Sequence, residues 1–352
     1  GLAHTTGEKG YNELALQLVE QVHHTLGRHR EDDPRRGWIS GLNEADGEQH
    51  PTRGGLRIGK ALPERGPDAP MDERQEWDQD GQYFHYLTKW MHALDQVTRT
   101  TRQLRYNTWA RELARSAFDA FTYRSDRGPR RMYWKMSIDL TRVLVSSMGQ
   151  HDPLDGYITA LQLRTTAAAQ AAGPDLADAT GDYAAMIRRS DWATADPLGL
   201  GGLLTDASRV QQIITQGAEP DVPLLEKLLE GASIGLQHYA RRNELHLPAG
   251  YRLAFRELGL AIGLHALERL QRNVEKESQR TVASPRLRAQ LQELMQYLPL
   301  RDAIETFWRD PANQRSDTWI EHRDINEVML ATSLAPDGCL LLLPPGTAAF
   351  LD

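Results

Sequence analysis

The sequence predicts an all-α fold of repeated helical hairpins, about five to six in number, carried as a single domain over residues 1–352. A turn phrase of Asp, Pro and Gly closing onto an aromatic or aliphatic residue recurs along the chain. It stands as Asp80-Gly81-Gln82-Tyr83, Asp152-Pro153-Leu154-Asp155-Gly156-Tyr157, Asp196-Pro197-Leu198-Gly199-Leu200-Gly201 and, without its acid, Pro248-Ala249-Gly250-Tyr251. The last three copies lie roughly 45 to 50 residues apart and the first roughly 75 before the second, spacings that suit helix pairs. Between the turns, amphipathic charged helices alternate with helices that are apolar on most sides. With 40% hydrophobic and 25% charged residues, the chain has enough apolar surface for a substantial core. Repeated helix pairs closing on themselves keep a chain of 352 residues in one domain.

The elements follow in order. In Tyr11 to Leu26, Leu14, Leu16, Leu18, Val19, Val22 and Leu26 trace a broad stripe of an outer helix. Residues 35–78 are rich in Gly, Pro and charge and lack helical periodicity, which predicts a long rim loop well beyond the roughly 12 to 15 residues usual in compact domains. Asp80 to Thr98 carries Tyr83, Phe84, Tyr86, Leu87, Trp90, Met91, Leu94 and Val97, a broad aromatic face suited to an inner helix. Tyr106 to Tyr123 is again amphipathic. Residues 130–155 form a second rim loop, in which Met132 to Leu140 and Val143 to Val145 suit a small β-ribbon. Gly156 to Ala172, Asp175 to Arg189, Leu198 to Thr215, Pro223 to Arg242 and Gly250 to Leu270 continue the alternation. Short helices follow from Ser284 to Tyr297, Arg301 to Trp308 and Ile325 to Leu334. Gly201, Gly202, Gly259 and Gly263 each cost about 1 kcal/mol relative to Ala within a helix, and close backbone approach between inner helices is the expected return.

Composition narrows the function classes. The net charge of −7 arises from 41 basic and 48 acidic residues interspersed along the chain, which argues against a nucleic-acid surface. Cys339 is the single cysteine, so neither an intrachain disulfide nor a thiolate metal cluster is expected; a reducing cytoplasm fits, and so does a disulfide-free secreted protein. No apolar run approaches the roughly 18 residues of a membrane span.

The succession of outer helix, excursion loop, turn and aromatic inner helix resembles the (α/α) toroid of the six-hairpin glycosidase and N-acylglucosamine 2-epimerase group. The likeness is architectural, covers most of the chain and is strongest over Glu76-Trp77-Asp78-Gln79-Asp80-Gly81-Gln82-Tyr83-Phe84-His85-Tyr86. It implies a toroid with its site at the inner-helix N-terminal rim, beside the repeated turns. Fold likeness alone assigns no reaction.

Candidate site residues gather at those turns. Glu76, Asp78 and Asp80 stand beside Trp77, Tyr83, His85 and Tyr86, and a sugar site needs carboxylates for proton transfer and flat rings for the sugar's C–H face. Asp80 is equally suited to capping the following helix, and Asp78-x-Asp80-Gly81 lacks the later acid of a calcium loop. Gln150 and His151 precede Asp152 and Asp155; Asp155 reads first as a cap and Asp152 as the functional acid, while Asp196 reads as structural. Trp319-Ile320-Glu321-His322-Arg323-Asp324-Ile325-Asn326-Glu327 forms a third polar cluster, with an exposed salt-bridged helix start as the alternative. His85, His246 and His322 are candidate acid–base groups, although a lone His in an aromatic helix is more often a packing residue. His23 and His24, like His238 and His265, lack neighbouring ligands at metal spacing, so no metal and no cofactor are expected. Gly54-Gly55-Leu56-Arg57-Ile58-Gly59-Lys60 departs from a phosphate loop in spacing and suits a mobile lid, from which Arg57 would bind a charged group.

The leading expectation is glycoside hydrolysis of a small saccharide or glycoside ligand, with Asp80 paired to Asp152 or Glu327. Trp77, Tyr83, Tyr86, Trp134, Gln150, His151 and Trp319 would shape the subsites. A sugar epimerase using histidine and a non-catalytic glycan- or apolar-ligand-binding protein are the alternatives.

Overall fold

The structure is a computed structural model that describes residues 2–124, 128, 130–147, 149–167, 172–188, 190–217, 221–242, 244–276 and 284–344. It is mostly helical with little sheet, as the periodicity requires. The chain divides into two compact units: Thr6–Ser190 with Leu343–Asp352, the N-terminal unit, and Asp191–Leu342 with Gly1–Thr5, the C-terminal unit.

After a five-residue helix α1 (Leu2–Thr6), the N-terminal unit is framed by α2 (Gly10–Leu26). Leu16, Val19, Val22 and Leu26 of α2 turn inward to the hairpin of α5 (Phe84–Thr101) and α6 (Arg105–Phe121). Arg102 closes that hairpin in the left-handed region at φ 61°. Leu87, Met91 and Leu94 of α5 and Leu113, Ala117 and Phe121 of α6 are fully buried in one core. A second hairpin, α7 (Asp152–Ala167) and α8 (Ala177–Ile187), contributes Leu163, Ala179 and Tyr183 to it. The core also contains a satisfied polar network: the Asp95 carboxylate accepts from Arg99, Asn107 and Gln162 at 2.7–3.0 Å. Each donor there is buried, and leaving one unpaired costs on the order of 1–3 kcal/mol.

The segment 35–78 departs from the expected featureless loop. It holds two six-residue helices, α3 (Glu44–Gln49) and α4 (Glu73–Asp78), capped by Asn43 and Asp72. Fewer than two turns leave no apolar period to read, so only the caps announced them. The ribbon in 130–155 is present: β4 (Lys135–Met136) pairs with β5 (Val143–Val145) and, on its other side, with β1 (Gln82–Tyr83), all antiparallel. A separate pair, β2 (Thr122–Arg124) and β3 (Arg130–Met132), extends the end of α6.

In the C-terminal unit, α11 (Ala254–Lys276) packs along α9 (Pro197–Thr215), with α13 (Leu298–Arg309) and α15 (Arg323–Leu334) also against it. The α9/α11 crossing explains three of the four glycines. A Cβ on Gly201 would lie 2.0 Å from the Gly259 carbonyl oxygen and one on Gly263 2.5 Å from the Gly201 Cα. Gly202 faces open space, so close approach does not account for it. Asp196 caps α9 by accepting from the Gly199 N–H at 2.9 Å, the structural role expected of it. The other helices are α10 (Val222–Arg242), α12 (Pro285–Leu294), α14 (Asp317–Glu321) and α16 (Asp337–Leu340). Buried Glu257 accepts two guanidinium hydrogen bonds from Arg252, at 2.6 and 2.8 Å, and one from the Trp308 indole at 2.7 Å. No helix among the described residues is long and apolar enough to cross a membrane.

Candidate functional site

A contiguous aromatic face forms in the N-terminal unit where α4, β1, β4 and the start of α5 meet. Antiparallel register sets Tyr83 opposite Lys135, so Trp134 arrives beside Tyr83 although 51 positions separate them in sequence. Trp77 and Trp134 meet edge to face at 4.9 Å between centroids, and Tyr83 lies 5.2 Å from Trp134. His85 stacks 6.2 Å from Trp134 at 20° and sits 4.6 Å from Tyr86. Tyr83 is buried, whereas Trp77 is 53% and Tyr86 45% exposed, so the cluster presents rings to solvent. Burial raises the hydroxyl pKa of both tyrosines, Tyr83 also under the Glu76 charge, so both remain neutral donors.

One buried cation holds this face together. Lys135 is fully buried, donates to the Glu76 and Gln79 carbonyls at 2.7 and 2.9 Å and pairs with the Glu76 carboxylate at 2.9 Å. Its ammonium also lies 5.2 Å from the Tyr83 ring. Burial lowers its pKa, opposed by Glu76. Through these bonds, Lys135 ties α4, which carries Trp77, to β4, the strand that directly follows Trp134.

The acidic groups nearby are of two kinds. Asp80 is completely buried and accepts from the Gly59 and Gly81 N–H groups at 2.9 Å each, from Arg57 at 3.0 Å and from Arg30 at 3.4 Å. It does not cap α5, whose N-cap position is Tyr83 with no side-chain bond. Arg57 also donates to the Arg28 and Thr25 carbonyls. The glycine segment is likewise pinned: Gln82 bonds the Gly54 carbonyl and the Leu56 N–H, and Ile58 donates to the Gly81 carbonyl. In this structure it is held against Gly81 and Gln82 by these bonds and is not a free lid.

Asp152 has a different environment. It is buried at the start of α7 and accepts from the Gly149 N–H at 3.1 Å. Burial and then the neighbouring Asp155 charge push its carboxyl up to about 7, against the opposing pull of the Gly149 N–H and Lys89. Asp155 accepts from Lys89 at 3.0 and 3.2 Å, so it is ion-paired as well as placed in the first turn. The field of Asp155 and Lys89 also reaches His85, whose imidazole burial lowers to about 4. His85 is therefore neutral near pH 7. The arrangement thus offers a carboxyl poised near neutral pH, a carboxylate paired with Lys89, a neutral imidazole and exposed rings.

The predicted site residues separate between the two units. Asp80, Asp152, His85, Arg57, Trp77, Tyr83, Tyr86, Trp134, Gln150 and His151 belong to the N-terminal unit. Glu327, His246, His322 and Trp319 belong to the C-terminal unit, where Glu327 and His246 are exposed. There Trp319 is buried against Trp308 at 5.7 Å, and His322 meets the Phe255 ring edge-on. The small cavity beneath α7, about 10 Å³ and lined by Phe84, Met91, Gly156 and Tyr183 among others, holds about one water at most.

Sequence reasoning did not single out Lys135 or the Lys89–Asp155 pair, which the structure places beside the aromatic face. Lys89 was legible as the lone fixed charge in the first half of an apolar helix, and Lys135 as a charge between Trp134 and Met136 in a strand. Comparison with protein-family models, with curated proteins and with solved structures finds no match.

Proposed function

We propose that the aromatic face of the N-terminal unit binds a small saccharide or glycoside and that Asp152 and Asp155 hydrolyse it, the chemistry implied by the likeness to six-hairpin glycosidases. The observation behind this reading is the contiguity of Trp77, Trp134, Tyr83, His85 and Tyr86, with His85 in turn under the charges of Asp155 and Lys89. Flat exposed rings suit the C–H face of a sugar. A glycosidase also needs one carboxyl that keeps its proton and one that does not. Asp152, near 7, supplies the first and would protonate the leaving oxygen; Asp155 supplies the second. Asp80, locked between two guanidinium groups, serves as an anchor for the wall.

A second reading, sugar epimerisation, rests on His85. A neutral imidazole held against aromatic rings is able to take a proton next to a carbonyl.

Glycan-array binding and reducing-sugar release, run on the wild type and on Trp134→Ala, Asp152→Asn and His85→Ala, test both. Hydrolysis requires Asp152→Asn to keep binding while turnover falls by at least about 10²-fold, the usual worth of a general acid. Wild-type turnover should fall above pH ~7 as Asp152 ionises. Trp134→Ala should weaken binding about tenfold, equivalent to ~1.4 kcal/mol. Unchanged turnover in Asp152→Asn rejects the hydrolase, and interconversion without release that is lost in His85→Ala selects the epimerase. Binding without any turnover leaves a saccharide-binding protein.

A further inference from the structure

His24, Glu44 and Glu48 converge in the N-terminal unit although 20 residues separate the first two in sequence. His24 lies in the last turn of α2, and the two glutamates are i and i+4 on α3, one above the other on the same face. What brings the helices together is Trp38, whose indole is buried. His24 meets it edge-on at 5.7 Å, and Arg28 stacks 4.4 Å over it. Gly47 of α3 presses so closely that a Cβ there would lie 2.1 Å from the indole Cδ1. The frame that aims the three side chains is therefore a packed one, with Asn43 capping α3 through the Asp46 N–H at 3.0 Å.

One imidazole nitrogen and one oxygen from each carboxylate lie within 4.8 Å of one another. Three points no farther apart share a centre at most about 2.8 Å from each. Small side-chain rotations then reach the ~2.0–2.2 Å of zinc–histidine and zinc–carboxylate bonds. We propose that His24, Glu44 and Glu48 bind a divalent transition-metal ion, zinc by ligand type, with a remaining position for water. The imidazole decides the class: calcium and magnesium take oxygen ligands, whereas one nitrogen with two carboxylates suits zinc and its neighbours. All three residues are exposed, so an ion reaches them without opening the fold. Arg28 donates to Glu44, so guanidinium and metal compete for one carboxylate. Occupancy clamps α3 onto the end of α2 and fixes part of the 35–78 segment.

The test is calorimetric titration of zinc chloride into the full, tag-free chain at pH 7.5, with magnesium chloride as the control and cobalt(II) absorption as an independent readout. The expected result is one zinc per chain, no magnesium heat and cobalt d–d bands. Binding should weaken about tenfold or more in His24→Ala and in Glu48→Gln, since each removes one of three protein ligands. Arg28→Ala should tighten it. Circular dichroism checks that the exposed-site variants fold. The proposal is overturned if zinc gives no saturable heat, or if affinity and cobalt spectrum are unchanged in both ligand variants. Weaker binding in Arg28→Ala overturns the competition.

Discussion

The turns at Asp80 and Asp152 share an acid, a glycine and a tyrosine, and both acids are buried, yet their charges are handled in opposite ways. Asp80 meets two guanidinium groups and two backbone N–H groups. Asp152 has the Gly149 N–H as its bond and a second carboxylate, Asp155, as its electrostatic neighbour. Burial penalises an ion in both places, and only at Asp80 do fixed positive partners offset it. One turn is therefore an ionic rivet for the loop, and at the other burial and a neighbouring carboxylate push the acid up to about 7. A recurring motif identifies where helices begin; the groups that the rest of the chain brings to it decide whether it has chemistry to offer.

The largest expected effect removes the rivet. Asp80→Ala leaves Arg57 and Arg30 facing a buried void, and breaking a buried pair on one side costs about 3–5 kcal/mol. Urea unfolding should show that loss; a change under about 1 kcal/mol would put the two turns in the same class.

Next comes the pH response of Asp152. Its folded pKa is raised from 3.8 to about 7, so its contribution to stability is fully present below pH ~4 and is lost as pH rises through ~7. The full swing is at most about 4 kcal/mol at 1.36 kcal/mol per pH unit. Unfolding free energies at pH 4.5 and 7.5 should differ less in Asp152→Asn than in the wild type. Equal slopes would show that Asp152 is ionised in the fold and the contrast is false.

Gly59→Ala probes the rivet's backbone donor. Gly59 has φ +84°, a conformation that costs a non-glycine residue about 1–2 kcal/mol, and its N–H is one of the four groups on Asp80. Thermal unfolding should register a loss of that size. The smallest effect belongs to Lys89→Ala. Lys89 is 63% exposed, so removing its pair with Asp155 should cost no more than about 1 kcal/mol. It should nevertheless raise the Asp152 pKa further, because a nearby positive charge is lost, and carboxyl NMR titration would detect the shift.

The contrast also marks the limits of reading the chain. Asp196 was legible as a cap because an N-cap bond spans three residues, here to Gly199. Asp80 looked just as local, but its partners come from Arg30, Arg57 and Gly59, none of which a turn motif can announce. The rings at Trp77, Tyr83, His85 and Tyr86 were visible as one stretch. Trp134 joins them because β4 pairs with β1 in one register and not its neighbour; a shift by one residue would point it to the opposite side. His24 had no neighbouring carboxylate in sequence and comes close to Glu44 and Glu48 because Gly47 permits α3 to rest on Trp38.

The sequence by itself determined the helical class, the order of the longer helices, the ribbon in 130–155, the α9 cap and the close α9/α11 crossing, since periodicity, caps and missing side chains act over a few residues. Tertiary structure alone decided which carboxylate is paired with guanidinium groups and which has its pKa raised, which tryptophan completes the aromatic face, and that a histidine and two glutamates meet. The physical reason is range: helix formation is written into neighbours along the chain, whereas burial, ion pairing and ligand geometry depend on groups that folding brings from far away.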